Sequence, residues 1–271
     1  MNPNTTPAAL QAQISGSSFY AGMRVLPEAE RNAMYAVYAF CRAVDDIADD
    51  HEVDRDERHR ALEVWRADIA ALYAGGDPGQ AVIVGEAVKR FGLLHADFEA
   101  VIDGMAMDIA RDIRWPEDGT LDLYCDRVAS AVGRLSVRIF GMEEPHGITL
   151  AHHLGRALQL TNILRDIDED AEIGRVYLPG GGDGPVEAVN GADVDATCRQ
   201  VAALAHEHYA AANAILIQRP KGHLIAPRLM AAVYQKILRR MEAVGWAAPR
   251  SRVKVNKIAL LWTVFWLWVR R

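Results

Sequence analysis

The apolar segments of this chain run well beyond strand length, with Pro rare inside them and Ala and Leu frequent. Such long runs of good helix formers predict an all-α protein. Pro27 opens one helix at a favourable first-turn position, with Glu28 and Glu30 beside the positive end of its dipole. That helix runs through Met34, Tyr38 and Cys41 into an acidic cluster. Further helices are predicted over about Asp54–Tyr73, Ala81–Phe91, His95–Arg111, Thr120–Phe140, Thr149–Asp170, Asp193–Gln218, Leu224–Val244 and Val253–Val269. Thr120 follows Gly119 and reads as an N-cap. No repeat of 20–50 residues is present.

Two aspartate pairs change the picture from fold to chemistry. The first lies in Asp45-Asp46-Ile47-Ala48-Asp49, the second in Asp166-Ile167-Asp168-Glu169-Asp170. Residues four apart on a helix share a face, with Cβ atoms about 5–6 Å apart. Carboxylates so placed repel unless a cation sits between them. Carboxylate oxygens suit Mg²⁺, which is commonly shared with phosphate. Two such helices suggest a cage for a diphosphate and its magnesium ions.

DxxxD alone is weak evidence. The chain also holds Asp46/Asp50, Asp50/Asp54, Asp108/Asp112, Asp118/Asp122 and Asp122/Asp126, most of which read as solvated surface. The second pair differs because it ends a stripe, Gln159, Asn162, Asp166 and Asp170, spaced 3, 4 and 4. A polar stripe in an apolar segment is costly to bury without partners. Arg42 precedes Asp45 by three residues, and Arg165 directly precedes Asp166. An arginine there binds phosphate oxygens or pairs with the carboxylate, and the two roles suit different ligand states.

Other features leave alternatives open. Small residues Ala129, Ser130, Ala131 and Gly133 permit close helix approach or leave room for a long ligand. Pro179-Gly180-Gly181-Gly182-Asp183-Gly184-Pro185 cannot continue a helix and is expected to be flexible, as a lid or as a surface connection. Ile258–Val269 is a run of twelve residues, apolar but for Thr263, too short to span a bilayer, which needs about 20. It reads as a last core helix or, with Trp262, Trp266 and Trp268, as a contact with the membrane surface.

Charge and cysteine usage narrow the class. Net charge is −6 with no basic block, which argues against a nucleic-acid surface. Cys41, Cys125 and Cys198 form no CxxC and suit small buried positions in a reducing cytosol. Met1–Gln13 has neither a basic start nor an apolar run, so a secretory signal is not expected.

Longer segments now carry a resemblance. SGSSFY (Ser15–Tyr20), YAFCRAVDDIAD (Tyr38–Asp49), DGMAMD (Asp103–Asp108), YCDRVASAVG (Tyr124–Gly133) and LGRALQLTNILRDIDEDAEIGRVYLP (Leu154–Pro179) resemble the squalene/phytoene synthase family. Within it, MYAVYAFCRAVDDIAD, TLDLYCDRVASAVGRLSVR and NILRDIDEDAEIGR are most similar to the bacterial branch that makes presqualene diphosphate for hopanoids. Two positions depart from the family's pattern: Ala106 replaces a larger polar residue, and Gly180–Gly184 replaces charged, helix-forming sequence.

The resemblance implies one all-α isoprenoid synthase domain over residues 15–271, with a central cavity and a disordered segment over 1–14. It implies Mg²⁺-dependent head-to-head (1′-1) coupling of two farnesyl diphosphates, with two or three ions bound alongside the diphosphate and no NADPH. Asp45, Asp46 and Asp49 match the first aspartate-rich motif. Asp166 and Asp170 match the second, with Gln159 and Asn162 on its stripe. Ser17, Arg42, Arg165, Arg175 and Tyr177 would contact diphosphate. Tyr38 and Tyr124 would line the reaction centre, and Tyr234 would be another cavity tyrosine. The base is left open between Tyr124, Tyr38 and the released diphosphate. The implied location is the cytoplasm, peripheral at the membrane, with downstream hopanoid-pathway enzymes as partners. Squalene, dehydrosqualene or phytoene synthesis is the family alternative, and a non-catalytic lipid-binding relative is the alternative outside it.

Overall fold

The computed structural model describes residues 23–253. Ser17 and the apolar run Ile258–Val269 therefore lie outside the described residues. Within them the chain is helical, and an isolated parallel bridge between Arg114 and Val176 stands in place of a sheet. The helices are α1 (Glu28–Asp49), α2 (Arg55–Ala74), α3 (Val82–Phe91), α4 (His95–Ala110), α5 (Asp118–Cys125), α6 (Ala131–Ile139), α7 (Glu144–Arg165), α8 (Ile167–Glu172), α9 (Val194–Ile217) and α10 (Ile225–Val244).

Helix α1 shows how one segment serves both core and site. Val37, Phe40, Val44 and Ala48 are buried along one face. The Phe40 ring meets Trp65 of α2 edge-on at 5.5 Å and Phe98 of α4 at 5.1 Å. Burying such a side chain contributes roughly 1.5–3 kcal/mol. These contacts fix the roll of α1, and its other face carries Tyr38, Arg42, Asp45 and Asp49. Asp54 caps α2 by accepting from the Glu57 amide at 2.9 Å.

Helix α7 is central, packed against α6, α9 and α10. It starts five residues before the predicted Thr149, because Pro145 falls in the first turn, where no N–H is needed. Gly147 is tolerated because Val137 occupies the space that a Cβ would need, 3.2 Å away. The predicted run to Asp170 breaks at Asp166, whose φ is −106° and ψ 17°. The break leaves the Leu164 carbonyl without an intrahelical partner. The buried Trp246 indole donates to it at 3.0 Å. Two helical hydrogen bonds survive across the break: Asp166 N to Asn162 O at 2.9 Å and Asp170 N to Asp166 O at 2.8 Å. The acidic stripe therefore keeps its helical spacing.

The predicted helix Thr120–Phe140 also divides. It begins at Asp118, with Glu117 rather than Thr120 at the N-cap position. One π turn, Asp126–Ser130, separates α5 from α6. Such turns are rare and occur often at functional sites. A Cβ on Gly155 would lie 2.7 Å from Ser130 Cα, and one on Gly133 would lie 3.1 Å from Ala151 Cα. The small residues here serve close helix packing.

The glycine-rich segment is docked. Gly182 N donates to Trp115 O at 2.6 Å, Asp183 N to Arg114 O at 3.1 Å, and the Trp115 indole to Pro185 O at 2.9 Å. A Cβ on Gly184 would reach Trp115 Cδ1 at 2.6 Å, so glycine is required for the approach. The segment thus forms a hydrogen-bonded strap on the α4–α5 connection.

Candidate functional site

Tyr38, Arg42, Asp45 and Asp49 follow one another at helical spacing on α1. Arg42 Nη1 donates to Asp45 Oδ2 at 2.7 Å, and its Nη2 bonds Asp46. Asp46 lies off this line with a 63% exposed side chain. Among the described residues its ion pair is with Arg42 of its own helix. Tyr38 is half-buried against the core.

The second stripe descends α7 into α8. Asn162 Nδ2 faces Gln159 Oε1 at 3.5 Å. Asn162 Oδ1 is buried and accepts no hydrogen bond among the described residues. Arg165 grips Asp166, with Nε 2.8 Å from Oδ1 and Nη2 on Oδ2. Arg252 pairs with the same carboxylate at 2.8 Å and with Glu169 at 3.3 Å. Tyr234 on α10 is 2% exposed, and its hydroxyl neighbours Arg165.

Arg175, four residues past Ala171, brings the stripes together. It is 3% exposed and donates from Nη1 to Asp49 Oδ1 at 2.6 Å and from Nη2 to Ala48 O at 3.1 Å. Arg58 on α2 donates to the same Ala48 carbonyl at 2.8 Å. The Ala48 carbonyl belongs to the last turn of α1, where helical partners run out.

Asp108 on α4 is the residue that the sequence reading missed, having grouped Asp108/Asp112 with surface pairs. It is 3% exposed. Tyr177 donates to its Oδ1 at 2.7 Å and Tyr124 to its Oδ2 at 3.0 Å. The two phenol rings stack at 4.7 Å. A signal was available: Val101, Met105 and Asp108 lie on one buried face of α4, so an aspartate there needs partners.

Electrostatics ties these carboxylates into one site. Burial, followed by the charge of Asp166, pushes Asp170 up to about 7, with Asp108 and Asp49 adding to the rise. Burial and Asp49 push Asp45 up to about 6, with Asp108 among the contributors. Burial pushes Asp108 itself up to about 6 against the pull of Arg175 and its two tyrosine partners. Burial and the Asp108 charge hold Tyr124 and Tyr177 well above the ordinary phenol range. Both are therefore neutral donors near pH 7.

The residues present fit a hydrated divalent cation. Carboxylates from three helices share one field, and the orphaned Asn162 oxygen offers a neutral oxygen ligand on the same stripe. Arg42, Arg165 and Arg175 now neutralise these carboxylates.

A profile of the squalene/phytoene synthase family matches residues 13–259. The presqualene diphosphate synthase of Zymomonas mobilis is 61% identical, over 94% of this chain and 91% of that protein. The presqualene diphosphate synthase of Rhodopseudomonas palustris is 53% identical, over 94% of this chain and 95% of that protein. Among solved structures, a dehydrosqualene synthase matches with a TM-score of 0.80 at 24% identity, covering 97% of this chain and 95% of its own. A squalene synthase from Alicyclobacillus acidocaldarius matches at 0.75 and 23%, covering 90% and 98%. These structures share the all-α fold. With its sequence matched almost end to end, this chain belongs to the squalene/phytoene synthase family.

Proposed function

We propose that this chain joins two molecules of farnesyl diphosphate 1′-1 to give presqualene diphosphate, releasing one diphosphate. The observation that carries the reading is the convergence of two acidic stripes and Asp108 on one another, with Arg175 between them. The 61% identity to a presqualene diphosphate synthase supports the product. The catalytic domain is taken as residues 15–271.

In this reading Asp45, Asp49, Asn162, Asp166 and Asp170, with Asp46 at the margin, would hold two or three Mg²⁺ ions. Members of the family are typically Mg-dependent, and bound Mg²⁺ supplies charge neutralisation for the departing diphosphate. Arg42, Arg165 and Arg175, each paired here with a carboxylate, would bind the phosphate oxygens of the substrate. Ser17, Gln159, Tyr177 and Tyr234 complete the polar contacts. Charge held by the arginines stabilises the leaving group while the C1–O bond of one substrate breaks to an allylic cation. The prenyl tails lie in a central cavity that keeps out water. The C2=C3 bond of the second substrate attacks the cationic carbon, and loss of one proton closes the cyclopropane.

The two buried phenols cannot take that proton as phenolates near pH 7, because their acidity is lowered by burial and by Asp108. Tyr124 and Tyr177 instead orient Asp108, and Tyr124 lines the reacting carbons with Tyr38. With Tyr124 set aside, the base lies between Tyr38 and the released diphosphate, and the negative charge of diphosphate favours the latter. Among the described residues no helix is long and apolar enough to cross a membrane. Delivery of so apolar a product is assigned to the terminal segment 258–269 acting at a membrane surface.

Incubation with farnesyl diphosphate and Mg²⁺, without NADPH, should yield presqualene diphosphate by mass spectrometry. Dehydrosqualene as the sole product, or turnover only of geranylgeranyl diphosphate, would replace this reading with another reaction of the family. Absence of any Mg²⁺-dependent diphosphate release would point to a non-catalytic relative.

A further inference from the structure

Three imidazoles meet between α7 and α9, away from the acidic stripe. His152 and His153 lie on α7, and His208 lies on α9. His153 is nine residues before Asn162, about 13 Å along the helix axis. His153 Nδ1 and His208 Nδ1 stand 3.0 Å apart. One ring nitrogen from each of the three residues falls within 4.8 Å of the others. None of these residues serves the reaction proposed above.

The plainest account is a hydrogen-bonded histidine pair with a third ring nearby. The geometry also suits something stronger. In tetrahedral coordination with Zn–N of about 2.0–2.1 Å, neighbouring ligand nitrogens lie about 3.3 Å apart. Exchange of the proton shared by His153 and His208 for a metal ion therefore needs an opening of a few tenths of an ångström. His152 must come closer, and coordination through its Nδ1 would give up the Arg156 Nη1 hydrogen bond there, now 2.9 Å. Arg156 loses little, because the same Nη1 already reaches Asp126 Oδ1 at 3.0 Å and Ser130 Oγ at 2.9 Å.

The surroundings favour a cation more than one arginine suggests. Arg156 is held by Asp122 through Nε at 2.6 Å and Nη2 at 3.0 Å, so two carboxylates offset its charge. Burial first, then the charge of Arg156, keeps His153 below its ordinary value, and burial with His153 pushes His208 down to about 4. Neutral imidazole is the form that binds metal. An all-nitrogen donor set selects zinc-like ions over Mg²⁺, which prefers oxygen. His152 is exposed, which leaves a fourth position for water.

We propose that His152, His153 and His208 form a binding site for a transition-metal ion of the zinc class, separate from the acidic site and clipping α7 to α9. The ion would brace the helix that carries Gln159, Asn162 and Asp166. An ion bound to the fold alone also stabilises it by mass action.

The test uses the full-length chain, stripped with a chelator and kept in excess Mg²⁺. Zinc is titrated against a chromophoric competitor, and Co²⁺ is added separately to read its visible absorption. The expected result is one tightly held ion per chain and a tetrahedral cobalt spectrum. The His153→Gln/His208→Gln variant should lose both, and the Asp166→Asn/Asp170→Asn variant should keep both. Zinc should also protect these three histidines of the unmodified chain from diethyl pyrocarbonate, a readout that needs no variant. No retained zinc, equal retention by the histidine variant, or loss in the aspartate variant would overturn the proposal.

Discussion

Arg175 Nη1 donates to Asp49 Oδ1 at 2.6 Å, joining positions 126 residues apart. The bond ties the segment after the second acidic helix to the end of the first. Arg175 also reaches Ala48 O at 3.1 Å, so one planar guanidinium satisfies a carboxylate and a helix-end carbonyl together. Lysine keeps the charge but not the fork. Arg175→Lys should therefore leave the fold intact and lower turnover about 10²-fold, the scale of a small misplacement at a reacting centre. Steady-state kinetics beside circular dichroism checks this, and unchanged turnover would remove Arg175 from the site.

Asp45 and Asp166 each carry an arginine partner. Asparagine preserves shape at both positions and removes the charge that a divalent cation needs. Asp45→Asn and Asp166→Asn should each reduce product formation by roughly 10²–10³-fold or more. Helicity should stay near that of the parent. Full activity in either variant would refute the metal role assigned to that helix.

Asp108 accepts from two phenols, one on each oxygen. Asparagine presents one acceptor and turns an NH₂ group toward the other phenol. A buried phenol that loses its acceptor costs about 1–3 kcal/mol. Asp108→Asn should be destabilised by that amount in urea and should turn over more slowly, since Tyr124 and Tyr177 lose their anchor. A variant as stable and as active as the parent would show that the pair of bonds matters to neither.

What could be read in the sequence was what spacing encodes. The run from Pro27 through Met34, Tyr38 and Cys41 predicts α1, and the four-residue spacing of Asp45 and Asp49 gives its acidic stripe. Gln159, Asn162, Asp166 and Asp170 likewise declare one face. The rest depends on distant partners. At the break, the freed Leu164 carbonyl is met by the Trp246 indole 82 residues downstream. The strap at 179–185 is held by Trp115, whose own φ is 48°. Asp108 stands at helical spacing on the apolar face of its helix, but the partner that satisfies it, Tyr177, lies 69 residues downstream. Local patterning contains none of these long-range contacts.

Gly155 and Gly119 make a paired test of packing. A Cβ at Gly155 would meet Ser130 Cα at 2.7 Å and Ser130 N at 2.8 Å, backbone atoms of the π turn that cannot swing aside. Gly155→Ala should cost about 1–3 kcal/mol or more by overpacking. Gly119, in the first turn of α5, has nothing within 4 Å of its Cβ position. Gly119→Ala should be neutral or stabilising by about 0.4–1 kcal/mol. Equal effects in thermal melts would mean that α7 does not rest on the π turn.

Protons and divalent cations should compete for the acidic site. Burial and neighbouring carboxylates raise Asp45 to about 6, Asp108 to about 6 and Asp170 to about 7. Unfolded aspartate titrates near about 3.9, so the metal-free fold holds protons that the unfolded chain has lost. The stability linked to these groups is complete below about pH 4 and is lost as pH rises through about 6–7. Bound Mg²⁺ has the opposite preference, because it requires the ionised oxygens. The metal-free melting temperature should therefore fall between about pH 5 and pH 8, while the increase produced by Mg²⁺ grows over the same window. EDTA should abolish turnover, and Mg²⁺ should restore it best above about pH 7. Other groups titrate too, so the comparison is made against Asp170→Asn, which lacks the carboxyl with the highest value. If parent and variant trace the same pH dependence with and without Mg²⁺, Asp170 neither holds the extra proton nor gives it up to the ion.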